Sequence, residues 1–326
     1  MPKTLECQLC PRACLLTNGQ RGDCRVRIHL DGKMKTLVYG NPCSVHMDPV
    51  EKKPLFHVLP RTKTFSIATA GCNLHCKFCQ NWQISQRPPE ETHNYDLPPE
   101  KVVSEAIRLG SKSISYTYSD PIIFYEYMFD TAKLAHQKKI LNIMVTAGYI
   151  NEKPLLELCP YIDAANVDLK GITEEYYRKM TSATLAPVLA AIKIMQREGV
   201  WIELTNLIVP TWNDQKKDIR DLCRWVADHL GPNVPLHFSR FWPRHQLKNL
   251  PPTPPETLTM AWETAKREGL NYVYVGNIPG HHGNSTFCPV DNKLLIQRIG
   301  YQILQNNIVD GKCKFCQTKI PGIWKI

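Results

Sequence analysis

The sequence predicts an α/β protein built on a parallel sheet, open or closed into a barrel, and three observations carry that expectation. Between Phe65 and Val275, short β-rich runs alternate with amphipathic helical stretches, the pattern of repeated strand–helix units. Six successive runs end in small or polar residues, and in α/β barrels the chemistry gathers at the C-terminal ends of the strands. The first run leads directly into three closely spaced cysteines, Cys72, Cys76 and Cys79.

In order, strands are expected at 65–70, 113–118, 141–146, 164–168, 202–209, 236–241 and 272–275. The helices between them are expected at 99–109, 122–137, 184–198, 215–229 and 255–268. The strand ends read Ala70-Gly71-Cys72, Tyr118-Ser119-Asp120-Pro121, Thr146-Ala147-Gly148, Val167-Asp168-Leu169-Lys170, Glu203-Leu204-Thr205-Asn206 and His237-Phe238-Ser239-Arg240. A single Asp or Ser before a helix is usually only an N-cap. Six such ends meeting one cysteine motif define a site. The proline-rich segment at 249–255 is a stiff extended linker before the last core helix.

The spacing C-x3-C-x2-C suits three corners of a cubane iron–sulfur cluster, for which thiolates are the usual ligands. With only three cysteines in the run, the fourth iron stays open. An open iron beside a low-potential electron source can be chelated by the methionine amino and carboxylate groups of S-adenosylmethionine. One electron into the sulfonium then releases a 5′-deoxyadenosyl radical, and the protein's part is orientation and shielding. The plainer alternative is a zinc knuckle lacking one ligand, although zinc spacings favour C-x2–4-C pairs accompanied by a second pair.

Both ends of the chain are rich in cysteine. Cys7, Cys10, Cys14 and Cys24 lie in a segment punctuated by Gly and Arg, and Cys288, Cys313 and Cys316 follow a loop carrying His281 and His282. Each end is too short to fold on apolar burial alone, so a bound metal is expected to supply the missing free energy. At the N-terminal end, zinc and an auxiliary iron–sulfur cluster both fit, with zinc suited to tetrahedral closure. At the C-terminal end, Asp291 stands where a C-x2-C pair with Cys288 would place its second thiol, and either a carboxylate ligand or a degenerate site is consistent with that. Cys43, Cys159 and Cys223 have no partner at ligand spacing and read as small buried hydrophobes.

Composition narrows the class. The 326 residues are 43% hydrophobic, enough for one large α/β domain with appendages. No run of about eighteen apolar residues exists to span a membrane, and the first residues carry no apolar signal core. Thirteen cysteines without such a signal point to a reducing cytoplasm and to metal ligation rather than disulfides. The net charge of +10 is spread along the chain without long basic runs, so a nucleic-acid partner is not expected.

From Cys7-Gln8-Leu9-Cys10-Pro11-Arg12-Ala13-Cys14, through Pro49-Val50-Glu51-Lys52-Lys53-Pro54-Leu55 and Cys79-Gln80-Asn81-Trp82, to Ile320-Pro321-Gly322-Ile323-Trp324, the chain resembles the radical S-adenosylmethionine superfamily. Within it, the resemblance is to the branch that is pyruvate formate-lyase activating-enzyme-like, and most closely to the AmmeMemoRadiSam-system radical enzymes. The resemblance implies a partial (β/α)6 TIM-like barrel at 61–278, between a cysteine-rich segment at 1–60 and a cysteine-containing segment at 279–326. It implies that Cys72, Cys76 and Cys79 bind a [4Fe–4S] cluster and that Phe78 lies near the adenine of S-adenosylmethionine. The superfamily's Gly-Gly-Glu strand end, which bonds the methionine ammonium, falls on Tyr118-Ser119-Asp120, where Asp is one methylene shorter and neither glycine is kept. Thr146 and the pair Asp168 and Lys170 match positions beside the cofactor's carboxylate and sulfonium, and that pair is expected to act as a catalytic unit. Val145 stands where the activating enzymes carry an Asp. His237 matches a histidine near the ribose, and Asn206 joins the cofactor-binding candidates at its strand end.

The function so implied is reductive cleavage of S-adenosylmethionine and hydrogen abstraction from a substrate, either a glycyl residue of a partner protein or a small molecule or peptide. A ferredoxin or flavodoxin is implied as electron donor. The rival class is a non-catalytic zinc-ribbon module that binds nucleic acid or protein; it predicts basic and aromatic clusters around the terminal cysteines, and only Arg21, Arg25 and Arg27 hint at one.

Overall fold

A computed structural model describes residues 4–325 of the chain. Two short antiparallel pairs open it, β1 (Leu5–Glu6) with β2 (Leu15–Leu16) and β3 (Arg27–Leu30) with β4 (Lys33–Thr36). The main sheet follows, made of β5 (Ser44–Pro49), β6 (Lys63–Ala68), β7 (Ser113–Tyr116), β8 (Leu141–Thr146), β9 (Ala164–Asp168), β10 (Trp201–Ile208), β11 (Leu236–Arg240) and β12 (Val273–Gly276). Its spatial order is the sequence order, and every neighbouring pair from β6 to β12 is parallel. β5 lies antiparallel on β6 at one edge. The result is an α/β partial barrel of seven parallel strands with an antiparallel edge strand. Each of β6 to β11 is followed by a helix, the six strand–helix units that the resemblance implies, and β12 is the strand expected at 272–275; no sequence feature singles out β5.

The helices are α1 (Trp82–Ser85), α2 (Pro99–Arg108), α3 (Tyr125–Gln137), α4 (Glu152–Leu158), α5 (Glu174–Thr181), α6 (Leu185–Arg197), α7 (Lys216–Leu230) and α8 (Pro255–Arg267). Their sequence periods explain their burial. α2 buries Pro99, Val102, Val103 and Ala106, and α7 buries Ile219, Leu222, Cys223, Val226 and Leu230, the i, i+3, i+4, i+7 stripe of a helix lying on a sheet. α4 and α5 escape a reading by pattern. The first is two turns long, and the second shows the solvent four charged residues while burying Tyr176, Tyr177 and Met180. Thr173 starts α5 by accepting the Tyr176 N–H.

Residues 50–59 run into the barrel. Val50, Leu55, Val58 and Leu59 pack with Ile143 of β8 and Ala164 of β9. The boundary expected at residue 60 therefore falls inside a packed unit, because β5 and this segment are bonded into the barrel. Beyond β12 the chain forms β13 (Thr286–Phe287), β14 (Leu294–Ile299) and β15 (Gln302–Asn306), a three-stranded antiparallel sheet, and then the pair β16 (Ile308–Val309) and β17 (Lys312–Cys313). This C-terminal module shares a second apolar cluster with Tyr272, Tyr274 and Phe56, whereas Val273 and Val275 belong to the main core. Alternate residues of β12 thus join different clusters, as a period of two requires. Among the described residues, no helix is long and apolar enough to cross a membrane.

Candidate active site

The C-terminal ends of β6 to β12 surround one cavity of about 600 Å3, within the range of small-molecule sites. Its first wall is the loop after β6. Gly71 begins that loop at φ +88°, and a Cβ there would stand 2.4 Å from the Cys24 carbonyl oxygen, so only glycine lets the loop lie against the N-terminal segment. Further bonds pin it. The Arg12 Nε donates to the Asn73 carbonyl (2.6 Å), the Asn73 amide donates to the Tyr149 carbonyl (2.8 Å), and the backbone N–H groups of His75 and Lys77 donate to the Thr181 and Met180 carbonyls at the end of α5. On this fixed loop Cys72, Cys76 and Cys79 all line the cavity, with Phe78 beside them.

Burial pushes the Cys72 and Cys76 thiols up, Cys76 to about 12 although the nearby Lys170 ammonium acts against the rise. A thiolate at either position needs a cation bound to it. Among the described residues, the one group whose His, Cys, Asp or Glu ligand atoms all lie within 4.8 Å of one another is elsewhere, in the C-terminal module. The three cavity cysteines are thus set wider than the ligands of a single ion. That spacing and the all-thiol donor set fit a cubane, in which each thiolate meets a different iron.

The second wall comes from β7. The expected strand at 113–118 ends at Tyr116 because Tyr118 takes a left-handed conformation (φ 64°), which bends Thr117, Tyr118, Ser119 and Asp120 along the cavity. The Asp120 carboxylate accepts from Ile122 N (3.1 Å), Thr146 Oγ1 (3.0 Å) and Ala147 N (2.8 Å). It therefore ties the ends of β7 and β8 together. Burial raises its pKa, partly offset by those donors. Beneath Tyr118 is a cluster that the sequence did not single out as part of the site. Lys53, 2% exposed, donates to Asp48 (2.7 Å) and lies 4.3 Å from the centre of the Tyr118 ring, while the Tyr118 hydroxyl also donates to Asp48. Burial lowers the Lys53 ammonium to about 8, against the pull of Asp48. Lys53 was visible only as one of two lysines in a motif of the family resemblance, without a role.

Asp168 and Lys170 leave β9 on one side, two residues apart. The Lys170 ammonium bonds Asp168 Oδ2 at 2.9 Å and lies 5.8 Å from the centre of the Phe78 ring. Burial works against its charge, but the Asp168 carboxylate, together with the neighbouring Cys76 and Tyr177, outweighs it and the ammonium is held above its ordinary range. On β10, Glu203, Thr205 and Leu207 share one side, with Thr205 and Leu207 lining the cavity. Asn206 does not line it. Its amide donates to the Leu169 carbonyl (2.7 Å), because a strand turns successive side chains to opposite faces and the expectation took the wrong phase.

His237 lines the cavity and bonds Glu203 through Nε2 (2.7 Å). Glu203 is fully buried and also accepts from Phe56 N, His57 N and Trp201 Nε1. Burial alone would raise it, but His237 and the other donors hold it ionised below its ordinary value. This network fastens residues 50–59 to β10 and β11. The signal for it was a glutamate inside an apolar strand, which reads as a buried acceptor only once its partners are known.

At the opposite side of the Cys72 loop, Cys7, Cys10, Cys14 and Cys24 line a second, small cavity together with Arg12 and Arg27. Arg27 is buried and makes a two-pronged ion pair with Glu126.

A family model described as the radical SAM superfamily matches residues 66–225, the segment from β6 into α7. Uncharacterized protein MJ0808 of Methanocaldococcus jannaschii is 45% identical over 97% of this chain and 95% of its own length. The pyruvate formate-lyase-activating enzyme of Clostridium pasteurianum is 23% identical over 48% of this chain and 67% of its own length. Among solved structures, Streptococcus suis SuiB bound to S-adenosylmethionine superposes with a TM-score of 0.51 at 12% identity, covering 74% of this chain and 56% of that one. A radical SAM methyltransferase from Sphaerobacter thermophilus gives 0.50 at 15% identity, covering 72% of this chain and 71% of that one. At such identities the two structures establish the fold alone. The chain belongs to the radical SAM superfamily. Membership implies a [4Fe–4S] cluster, S-adenosylmethionine and radical catalysis of the oxidoreductase type.

Proposed function

We propose that this chain reductively cleaves S-adenosylmethionine at a cluster held by Cys72, Cys76 and Cys79 and abstracts hydrogen from a substrate admitted to the same cavity. The observation that carries the reading is the meeting of the three thiols with the Asp168–Lys170 pair around one cavity. Cluster and cofactor, when bound, supply the one-electron chemistry. The chain's residues position and enclose. Lys170, held charged by Asp168, offers a fixed cation toward a carboxylate, and Phe78 offers an apolar face to a flat ring. Ser119, whose hydroxyl donates to the Thr69 carbonyl (2.8 Å), and Asp120 fix the β7 turn, so that its backbone presents acceptors to an ammonium. Thr146 is oriented by Asp120, and His237 by Glu203.

The likeness to activating enzymes supports an activating-enzyme-like reaction, with a glycyl residue of a partner protein or a small molecule or peptide as substrate and a ferredoxin or flavodoxin as reductant. A cytoplasmic setting accords with the free cysteines. The four N-terminal cysteines would hold a structural metal, zinc or an auxiliary cluster; they line one cavity, and since they too are set wider than the ligands of a single ion, that spacing favours the cluster. The rival zinc-ribbon module accounts for the two ends of the chain and leaves the barrel cavity without a purpose.

The test is an anaerobic preparation. The proposal expects a brown protein whose iron and sulfide fall by one cubane's worth when Cys72, Cys76 and Cys79 are all replaced by Ala. A colourless, zinc-only protein would support the module instead.

A further inference from the structure

The C-terminal module contains two turns with the same construction. In the first, Cys288 N donates to the Lys293 carbonyl (2.9 Å), Asn292 N donates back to the Cys288 carbonyl (3.0 Å), and Asn292 is left-handed at φ 55°. In the second, Cys313 N donates to the Thr318 carbonyl (2.8 Å), Gln317 N donates to the Cys313 carbonyl (3.0 Å), and Gln317 is left-handed at φ 64°. The turns superimpose in sequence as Cys288-x2-Asp291-Asn292 and Cys313-x2-Cys316-Gln317. Asp291 therefore occupies the backbone position that Cys316 holds in its twin. The ligand atoms of Cys288, Asp291, Cys313 and Cys316 all lie within 4.8 Å of one another. Cys288 Sγ is 3.5 Å from Cys316 Sγ, and Cys313 Sγ is 3.9 Å from Asp291 Oδ2. Zinc–sulfur bonds of about 2.3 Å place tetrahedral thiolates about 3.8 Å apart. The sulfurs form no disulfide, and no apolar packing brings a carboxylate among three thiols.

We propose that Cys288, Asp291, Cys313 and Cys316 bind one zinc ion, with the Asp291 carboxylate as the fourth ligand, and that this ion sets the C-terminal wall of the cavity. Four protein ligands close a tetrahedron, so the site is structural, with no open position for catalysis. Its leverage on the cavity comes from connectivity. The first turn leads into β14, whose turn into β15 carries Gly300 and Tyr301 to the cavity lining, and β15 returns through β16 and β17 to the second turn. The hairpin is thus held at both ends by the same ion. Its apolar support is modest, chiefly Leu295 and Ile296 against Tyr272 and Tyr274, and a metal supplies what so small a module lacks.

The test uses the full-length protein, with zinc and iron measured separately for the wild type, the double variant Cys313→Ser/Cys316→Ser, Asp291→Ala and Asp291→Cys. The expected results are loss of one zinc equivalent in the double variant with iron unchanged, and release of that zinc to a chelator on the order of tenfold faster or more from Asp291→Ala. Asp291→Cys should hold zinc at least as firmly as the wild type. Cobalt in place of zinc should give the visible bands of a tetrahedral thiolate site, shifted in Asp291→Cys toward those of four sulfurs, a readout that survives if the double variant fails to fold. Equal zinc in wild type and double variant, or loss of iron in its place, would overturn the site. A cobalt spectrum and release rate unaltered in Asp291→Ala would overturn the carboxylate ligand.

Discussion

His57 is fully buried between the barrel and the C-terminal module. Its Nδ1 is 2.7 Å from the Pro321 carbonyl, so Nδ1 carries the proton, and Nε2 accepts from the Tyr274 hydroxyl at 2.7 Å. Burial lowers its pKa to about 4, against the pull of Glu203. The unfolded chain takes up this proton near 6.5, and the folded chain resists until about 4. The unfolded state therefore binds more protons between those values, and stability falls as pH falls through them, by roughly 3 kcal/mol at full extent. Chemical denaturation of wild type and His57→Gln from pH 7 to pH 4 checks this. The wild type should lose stability more steeply, and parallel curves would remove His57 from the account. Asp120 makes a second case. With three buried donors satisfied by one carboxylate, Asp120→Ala should cost about 1–3 kcal/mol of stability by leaving them unpaired, and should weaken S-adenosylmethionine binding roughly tenfold through the loosened β7 turn. Unchanged cofactor affinity in a folded Asp120→Ala protein would place this carboxylate outside the site's support. The sequence marked Asp120 as a polar strand end, but not its partners, two of which, Thr146 and Ala147, come from the end of the next strand.

Between elements, the turn after β6 decides whether the cysteines are presented. Gly71→Ala puts a Cβ against a backbone carbonyl at a positive φ, so the loop or the N-terminal segment must move. The expected outcome is about 1–3 kcal/mol of lost stability and incomplete cluster loading on reconstitution. A normal iron content in Gly71→Ala would show that the loop tolerates the displacement. The Asp168–Lys170 pair tests the end of β9. Were it only an exposed ion pair, it would contribute at most about 1 kcal/mol. As a positioning unit beside the reacting groups, its loss can cost about a hundredfold in rate. Asp168→Asn and Lys170→Met, compared at equal iron content, should each show a loss of that order in 5′-deoxyadenosine production, and near-normal rates would return the pair to a solvated role. Most elements were legible because parallel strands buried on both faces read as short apolar runs and the helices on them as amphipathic stripes. β5 was not, since Ser44–Pro49 mixes His46, Asp48 and Pro49 into an edge strand whose pairing follows from where the chain enters the barrel. The phase of β10 was not either, and that alone separated Asn206 from the cavity that Thr205 and Leu207 line.

At the scale of the molecule, three cysteine groups divide the chain. The central three sit at the open end of the barrel, the N-terminal four back the loop that carries them, and the C-terminal three join Asp291 to hold a wall of the same cavity. Their spacings were legible in sequence, whereas the convergence of the first two groups on opposite sides of the Gly71–Cys79 loop required the fold. Elemental analysis of the variant lacking Cys72, Cys76 and Cys79 should find metal remaining at both ends, and its absence would remove the structural role of the N-terminal cysteines. The central claim is met most directly by anaerobic reconstitution with iron and sulfide, followed by dithionite and S-adenosylmethionine, with 5′-deoxyadenosine measured in the wild type and in the variant carrying Ala at 72, 76 and 79. The wild type should form 5′-deoxyadenosine and the variant none. Formation by the variant at the wild-type rate, or by neither protein when the wild type carries its full cluster, would contradict the account.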